Sequence, residues 1–321
     1  MHASIFPHLR RLAGAVLMGI AASAAAQATR IVVPGPPGGF ADITVRLIGE
    51  RLQKDLGTPV VIEHKPGAGG TVGLDYLRNQ RADGLTLGMI NLSAAANESI
   101  VRRKSFALMS DFESIGQYAW LANILIVHPA QPGASLGAFI AALKARANTN
   151  YSSGGVGSPA HLASELFRSR TGVALTHVPY KGAPPAVTAV VAGEVAFMFG
   201  TASAAIAQVR GERVRALAVT TSERLRQIPD VPTLAEAGLS DFNITDWVGL
   251  VAPRGTPFET RERVHRAFAA AFADPAIRER LREATILPAA APLGPADFNV
   301  FLRAEIDKWA KVVREANISQ D

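Results

Sequence analysis

Short apolar runs alternate with amphipathic stretches along most of the chain. Residues 30–33 read as a buried strand, followed by a Pro/Gly loop over 34–39. Residues 41–54 then place Ile43, Leu47, Ile48 and Leu52 on one face, the period of a helix. A strand over 60–63, a loop over 65–70 and a helix near 72–80 repeat the unit, and Asp83-Gly84 turns into a strand over 85–90. Further strands are predicted at 125–128, 151–152, 176–178, 195–199, 214–220 and 248–251. Helices are predicted over 135–146, from Pro159 to about 170, over 184–192, and between the strands at 195–199 and 214–220. The tail reads as three helices, 257–272, 275–284 and 295–316, each starting near a proline.

Strand, loop, helix, strand is the pattern of a parallel α/β sheet. Its repetition predicts two α/β lobes, the first over 29–125 and the second over 126–245. The strand at 248–251 and the late helices supply too few strands for a third lobe, so residues 246–321 are expected to return to the first. Crossings near 118–123 and 241–247 would then form a hinge beside a cleft.

The N-terminus departs from this pattern. His8, Arg10 and Arg11 precede an uncharged, Ala-rich stretch over 12–26, and both Ala24-Ala25-Ala26 and Ala26-Gln27-Ala28 fit an A-x-A cleavage site. The stretch is shorter than the ~20 residues that span a bilayer. Residues 1–28 therefore read as a signal peptide, and the mature protein is expected to be soluble in the periplasm. Composition narrows the chemistry. Hydrophobic residues at 48% and charged residues at 19% mark a globular chain. Aromatics at 7% argue against a base-stacking platform. The absence of cysteine excludes disulfides, thiolate metal sites and a lipidated N-terminal cysteine. The net charge of +6 is spread along the chain, its densest cluster being Arg102-Arg103-Lys104, so no nucleic-acid partner is expected. Export also counts against nicotinamide cofactors and ATP.

Candidate chemistry lies in four glycine-rich loops between a strand and a helix: 37–42, 66–70, 154–159 and 180–184. A helix N-terminus presents unpaired amides and a partial positive charge, and glycine lets a ligand approach the backbone closely, so such loops suit anions such as carboxylates. Residues 155–160 match G-x-G-x-x-[GA], but no Asp or Glu stands about 20 residues on, where a ribose would need it. No G-x-S-x-G elbow or phosphate-binding G-x-x-x-x-G-K-[ST] is present. His161 and Glu165 are four apart, but without H-E-x-x-H or a third ligand they read as helix-surface or capping residues. Asp42 reads as an N-cap or helix-dipole partner. Trp247 and Trp309 read as packing residues, with Trp247 also suited to a cleft wall. Neither a metal nor a cofactor is expected.

Several blocks carry a resemblance: Ile31-Val32-Val33-Pro34 with Pro37-Gly38-Gly39 and Asp42; Pro66-Gly67-Ala68-Gly69-Gly70; Asp83-Gly84-Leu85-Thr86-Leu87; Tyr151 to His161; His177-Val178-Pro179-Tyr180-Lys181-Gly182; Pro229-Asp230-Val231-Pro232-Thr233; and Glu305 with Trp309. In this order they resemble the Bug family of periplasmic solute receptors, the binding proteins of tripartite tricarboxylate transporters. The resemblance implies a two-lobed periplasmic-binding-protein (flytrap) fold with a ligand cleft between the lobes, a small organic anion as ligand, membrane permease subunits as partners, a monomer and no catalysis. The ligand-binding residues expected are Gly38, Gly39, Phe40, Ala41 and Asp42 of the first lobe, and Ser153, Gly155, Gly157, Ser158, His161, Tyr180 and Gly200 of the second. The chain departs from the family pattern at Thr29, Gly35, Ala189 and Gly200. Acidic or polar residues are frequent at the last two positions, and Gly200 is expected to widen the pocket or change its charge preference. An exported hydrolase using Ser158 and His161, or an orphan ligand sensor, are the alternative readings.

Overall fold

The hydrophobic positions sort onto two sheets, each covered by helices. The computed structural model describes residues 27–101, 105–240, 242 and 244–319. The expected signal segment lies outside the described residues except for Gln27 and Ala28. In chain order, the elements begin with β1 (Thr29–Val33), α1 (Phe40–Leu56), β2 (Val60–His64), α2 (Thr71–Arg78), β3 (Thr86–Ile90), α3 (Leu92–Ile100), α4 (Leu108–Asp111) and β4 (Phe112–Leu121). There follow β5 (Asn123–Val127), α5 (Leu136–Lys144), β6 (Thr149–Ser153), α6 (Pro159–Thr171), β7 (Leu175–Pro179), α7 (Ala183–Val191), β8 (Phe197–Thr201), α8 (Ala202–Arg210) and β9 (Arg215–Val219). The last are β10 (Asp246–Pro253), α9 (Phe258–Ala273), α10 (Pro275–Glu283), β11 (Ile286–Leu293) and α11 (Pro295–Glu315).

A six-stranded sheet runs β11-β4-β10-β3-β1-β2 and a five-stranded sheet runs β7-β6-β8-β5-β9. Both are mixed, which corrects the all-parallel expectation. In the first sheet β1 is parallel to β2 and β3, whereas β10 opposes β3 and β4, and β11 opposes β4. In the second, β6 is parallel to β7 and β8, whereas β5 opposes β8 and β9. The reversal begins at the strands by which the chain enters each sheet from the other, β5 and β10. Neither entry uses the crossover helix that parallel pairing requires.

Only Ala122 separates β4 from β5, so the first crossing is a single residue. The expected boundary at 125 falls inside β5, which pairs with β8 along its length. The crossings lie side by side: Thr220 Oγ1 accepts the Asn123 amide at 3.0 Å, and Thr245 Oγ1 donates to the Thr220 carbonyl at 3.1 Å. At the return crossing, the fully buried Asp246 accepts hydrogen bonds from the amides of Leu92 and Trp247 and from Asn91 Nδ2. It thereby ties the head of β10 to the start of α3. Of the late helices, α9 and α10 pack on α1, and α11 lies on α3 and β4. Trp247 and Trp309 are fully buried, and both indole N–H groups donate to Glu305 Oε2. Trp247 is therefore a core residue and not a cleft wall.

Candidate ligand-binding site

The four glycine-rich loops form one contiguous array. Loops 34–39 and 65–70 meet at Pro34, because a Cβ on Gly70 or Gly73 would stand 3.3 or 3.0 Å from Pro34 Cβ. Asn97, on α3, donates Nδ2 to the Gly69 carbonyl at 2.9 Å. Its Oδ1 faces Gly157 of the second sheet, where a Cβ would come within 2.8 Å of Oδ1 and 3.2 Å of Ile100 Cδ1. Loop 154–158 in turn abuts 180–183: the Gly182 amide donates to the Gly154 carbonyl at 3.2 Å, and a Cβ on Gly155 would lie 3.6 Å from the Tyr180 carbonyl oxygen. The array thus passes from one sheet to the other at the contact of Asn97 with Gly157.

In the first loop, Gly39 is the N-cap of α1 with ordinary angles, while Gly38 takes φ +78°. Asp42 is not the cap. It lies in the first turn, and its carboxylate reaches back to accept the Gly38 amide at 2.9 Å while meeting Arg46 Nε and His64 Nε2 at 3.0 Å. Burial pushes its pKa up, but the bonds from Arg46, Gly38 and His64 outweigh this and hold it below the usual carboxylate value. Asp42 therefore shapes the loop with an acceptor-only group that is already in use. The amides of Phe40, Ala41 and Asp42 have no acceptor among the described residues, as expected of a helix start. The Phe40 ring lines a small apolar crevice with Ile43, Leu121, Thr201 and Ala202, where elements of both sheets meet.

In the second loop most donors are consumed internally. The Gly155 amide donates to Ser153 Oγ, the Gly157 amide to His161 Nδ1 and the Ser158 amide to the Gly155 carbonyl. Ser153 is fully buried, and its hydroxyl lies 3.0 Å from the Gly155 carbonyl and 2.6 Å from His177 Nε2, so it braces the loop. What remains at the start of α6 is the Ala160 amide, which has no acceptor among the described residues, and the Ser158 hydroxyl proton. Ser158 Oγ caps α6 by accepting the His161 backbone amide at 3.4 Å.

His161 and Glu165 are buried, which corrects their reading as helix-surface or capping residues. Glu165 accepts from Tyr151 Oη at 2.7 Å and from Arg168 Nε at 2.8 Å. Burial, followed by the charge of Arg168, lowers His161 to about 4. Burial, then the neighbouring His161, lowers His177. The Tyr180 hydroxyl points away from the loops to Glu194 Oε2 at 3.2 Å, leaving only its backbone against Gly155. Gly200 does not widen the cleft. A Cβ there would meet Ala205, Val187 and Ile126 at 3.5–3.6 Å, inside the core that also buries Ala189. Sequence reasoning missed Asn97, although Asn91 before Leu-Ser-Ala-Ala-Ala is an N-cap signal for α3, and its side chain does accept the Ser93 amide.

Residues 44–318 match the tripartite tricarboxylate transporter family receptor, TctC. The chain belongs to this family. It is similar to BugT of Bordetella pertussis, with 34% identity over 293 residues, which is 90% of this chain and 89% of BugT. A solved structure from R. palustris, Rpa4515 with adipate, superposes with a TM-score of 0.82 at 31% identity, covering 91% of this chain and 98% of that one. MatC from Rhodopseudomonas palustris with bound malate gives a TM-score of 0.79 at 30% identity, covering 89% and 98%. The fold of this TctC-family chain is thus the two-lobed fold of periplasmic binding proteins, and its family role is that of a solute-binding receptor. Among the described residues, no helix is long and apolar enough to cross a membrane.

Proposed function

We propose that this receptor captures a small organic carboxylate in the periplasm between two closing lobes and delivers it to membrane permease subunits, without catalysis. The moving bodies are residues 29–122 with 246–321, and 123–245. The first boundary is placed at Ala122 because β5 pairs throughout its length in the second sheet. Residues 1–28 are the export signal, and the mature chain acts as a monomer.

The observation that carries the ligand class is the set of unclaimed donors at two helix starts on opposite sheets: the amides of Phe40, Ala41 and Asp42, and the Ala160 amide with the Ser158 hydroxyl. Helix N-termini favour anions. Neither 38–42 nor 153–158 contains Lys or Arg, so an empty closed cleft would bury no unpaired cation. Adipate and malate in the two similar structures support the same class. The hydrolase alternative lacks its nucleophile–base pair, because Ser158 Oγ meets the His161 amide and not its ring, while His161 Nδ1 is engaged by Gly157.

The test is calorimetric titration of the mature protein with malate, adipate and their diamides. One dicarboxylate is expected to bind and its diamide to fail. Equal binding of acid and diamide would overturn the anion reading, and turnover of ester substrates lost in Ser158→Ala would restore the hydrolase.

A further inference from the structure

Behind the second ligand loop lies a buried aromatic and ionic cluster that includes His161 and braces the loop through Gly157 and Ser153. The rings of His161 (α6) and His177 (β7) stack 3.9 Å apart at 11°, and the Tyr151 ring of β6 stacks on His177 at 5.1 Å. We propose that His161 is a positioning residue, whose neutral imidazole, stacked on His177, fixes the loop 154–158 in its anion-binding shape by accepting the Gly157 amide. This rests on the receptor reading of that loop.

The hydrogen bond from Gly157 determines the tautomer of His161. The Gly157 amide can only donate, so His161 Nδ1 carries no proton and the neutral ring is protonated on Nε2. Ser153 Oγ has one proton and two lone pairs. One lone pair takes the Gly155 amide. The proton goes either to the Gly155 carbonyl, with His177 Nε2–H on the other lone pair, or to His177 Nε2, so His177 holds the Ser153 hydroxyl in either tautomer. The two rings thus hold the two left-handed corners of the loop, Gly155 at φ +124° and Gly157 at φ +74°. Gly157 is also the residue that meets Asn97 across the cleft.

Charging His161 would set an N–H against the Gly157 N–H, and would place a cation on the face of His177. The surrounding groups do not compensate for that charge. Glu165 is already engaged by Tyr151 Oη and Arg168, and Arg168 itself disfavours an imidazolium. Loss of the neutral acceptor therefore releases Gly157 and, with it, the shape of the loop.

The experiment compares wild type with His161→Asn, whose Oδ1 replaces the Nδ1 acceptor, and His161→Phe, which keeps a flat ring without it. Two properties are read: hydrogen exchange of the Gly157 amide without ligand, and affinity for malate and adipate. In His161→Phe the exchange is expected to quicken and the affinity to fall by about tenfold or more, the effect of one buried amide losing its acceptor. His161→Asn is expected to keep both within about threefold. Lowering the pH from 7 to 4 should weaken wild type more than His161→Asn, a comparison in which the ligand's own protonation cancels. Unchanged exchange and affinity in His161→Phe, or an Asn variant no better than Phe, would overturn the proposal. If Phe unfolds the protein, the 15N shifts of the wild-type imidazole decide, since a proton on His161 Nδ1 at pH 7 contradicts it. If neither anion binds wild type, the carboxylate reading fails, while exchange and tautomer still judge the role of His161.

Discussion

At Gly157, the proposed ligand loop meets the opposite body in one residue. Its φ of +74° suits glycine, and any Cβ would press on Asn97 Oδ1 at 2.8 Å across the cleft. Gly157→Ala is expected to weaken carboxylate binding by at least about tenfold in a calorimetric titration. Gly172→Ala is the control: its φ is +70°, but the space around it is open and it only ends α6. That change should cost about 1 kcal/mol of stability in a denaturant titration and leave affinity unchanged. Ser158→Ala removes the helix cap and the one hydroxyl proton left for a ligand. It is expected to weaken binding by about tenfold and to cost about 1 kcal/mol in stability. The glycine loops were legible as connections between strand and helix, because runs of Gly and Pro mark turns. Which donors remain for a ligand was not. That depends on partners distant in sequence, such as His177 on Ser153, and on the reach of Asp42 back to Gly38.

Among the elements, strands and helices with a clean period were read from sequence to within a few residues, and those without one were missed. β4 is buried on nearly every residue and pairs with β10 through register shifts, so it shows no alternation. β11 contains Pro288 and Pro292, which an edge strand tolerates but a sequence pattern reads as a loop. α3 is largely Ala and polar residues, and is defined by packing against α11 and by Asp246 at its start. Asp246→Ala strands the buried donors of Leu92, Trp247 and Asn91 and should cost about 3 kcal/mol by urea unfolding. Asp274→Ala, which removes the partly exposed cap of α10, should cost only about 1 kcal/mol. The His161–His177 stack between α6 and β7 adds a pH dependence. Both pKa values are lowered on folding, so the unfolded chain binds protons that the native state refuses. Stability from this pair is complete above about pH 6.5 and is lost as the pH falls toward 4. For His161 alone the loss is roughly 3 kcal/mol. Urea midpoints at pH 7 and pH 4.5 should show His161→Asn losing less than wild type.

For the whole molecule, the count of strand–helix units already indicated two lobes and a returning tail. The mixed sheets were not legible, because strand direction follows from where the chain enters each sheet. Contacts between the bodies include Gly157 with Asn97, Phe40 and Ile43 beside Thr201 and Ala202, Arg168 Nη2 donating to the Ala316 carbonyl at 3.4 Å, and Gln227 Nε2 donating to the Arg282 carbonyl at 2.6 Å. A ligand gripped from both sides stabilises this arrangement by its differential contacts, so saturating carboxylate should reduce the radius of gyration in small-angle scattering. An unchanged radius at saturation would contradict closure. In the proposed complex two helix starts, one on each sheet, hold the anion through backbone donors. Amide chemical shifts followed during titration with malate and adipate report on those donors one by one. Saturable shifts concentrated at Phe40, Ala41, Asp42 and Ala160 are predicted. Saturable binding that leaves those four amides unmoved would place the anion elsewhere.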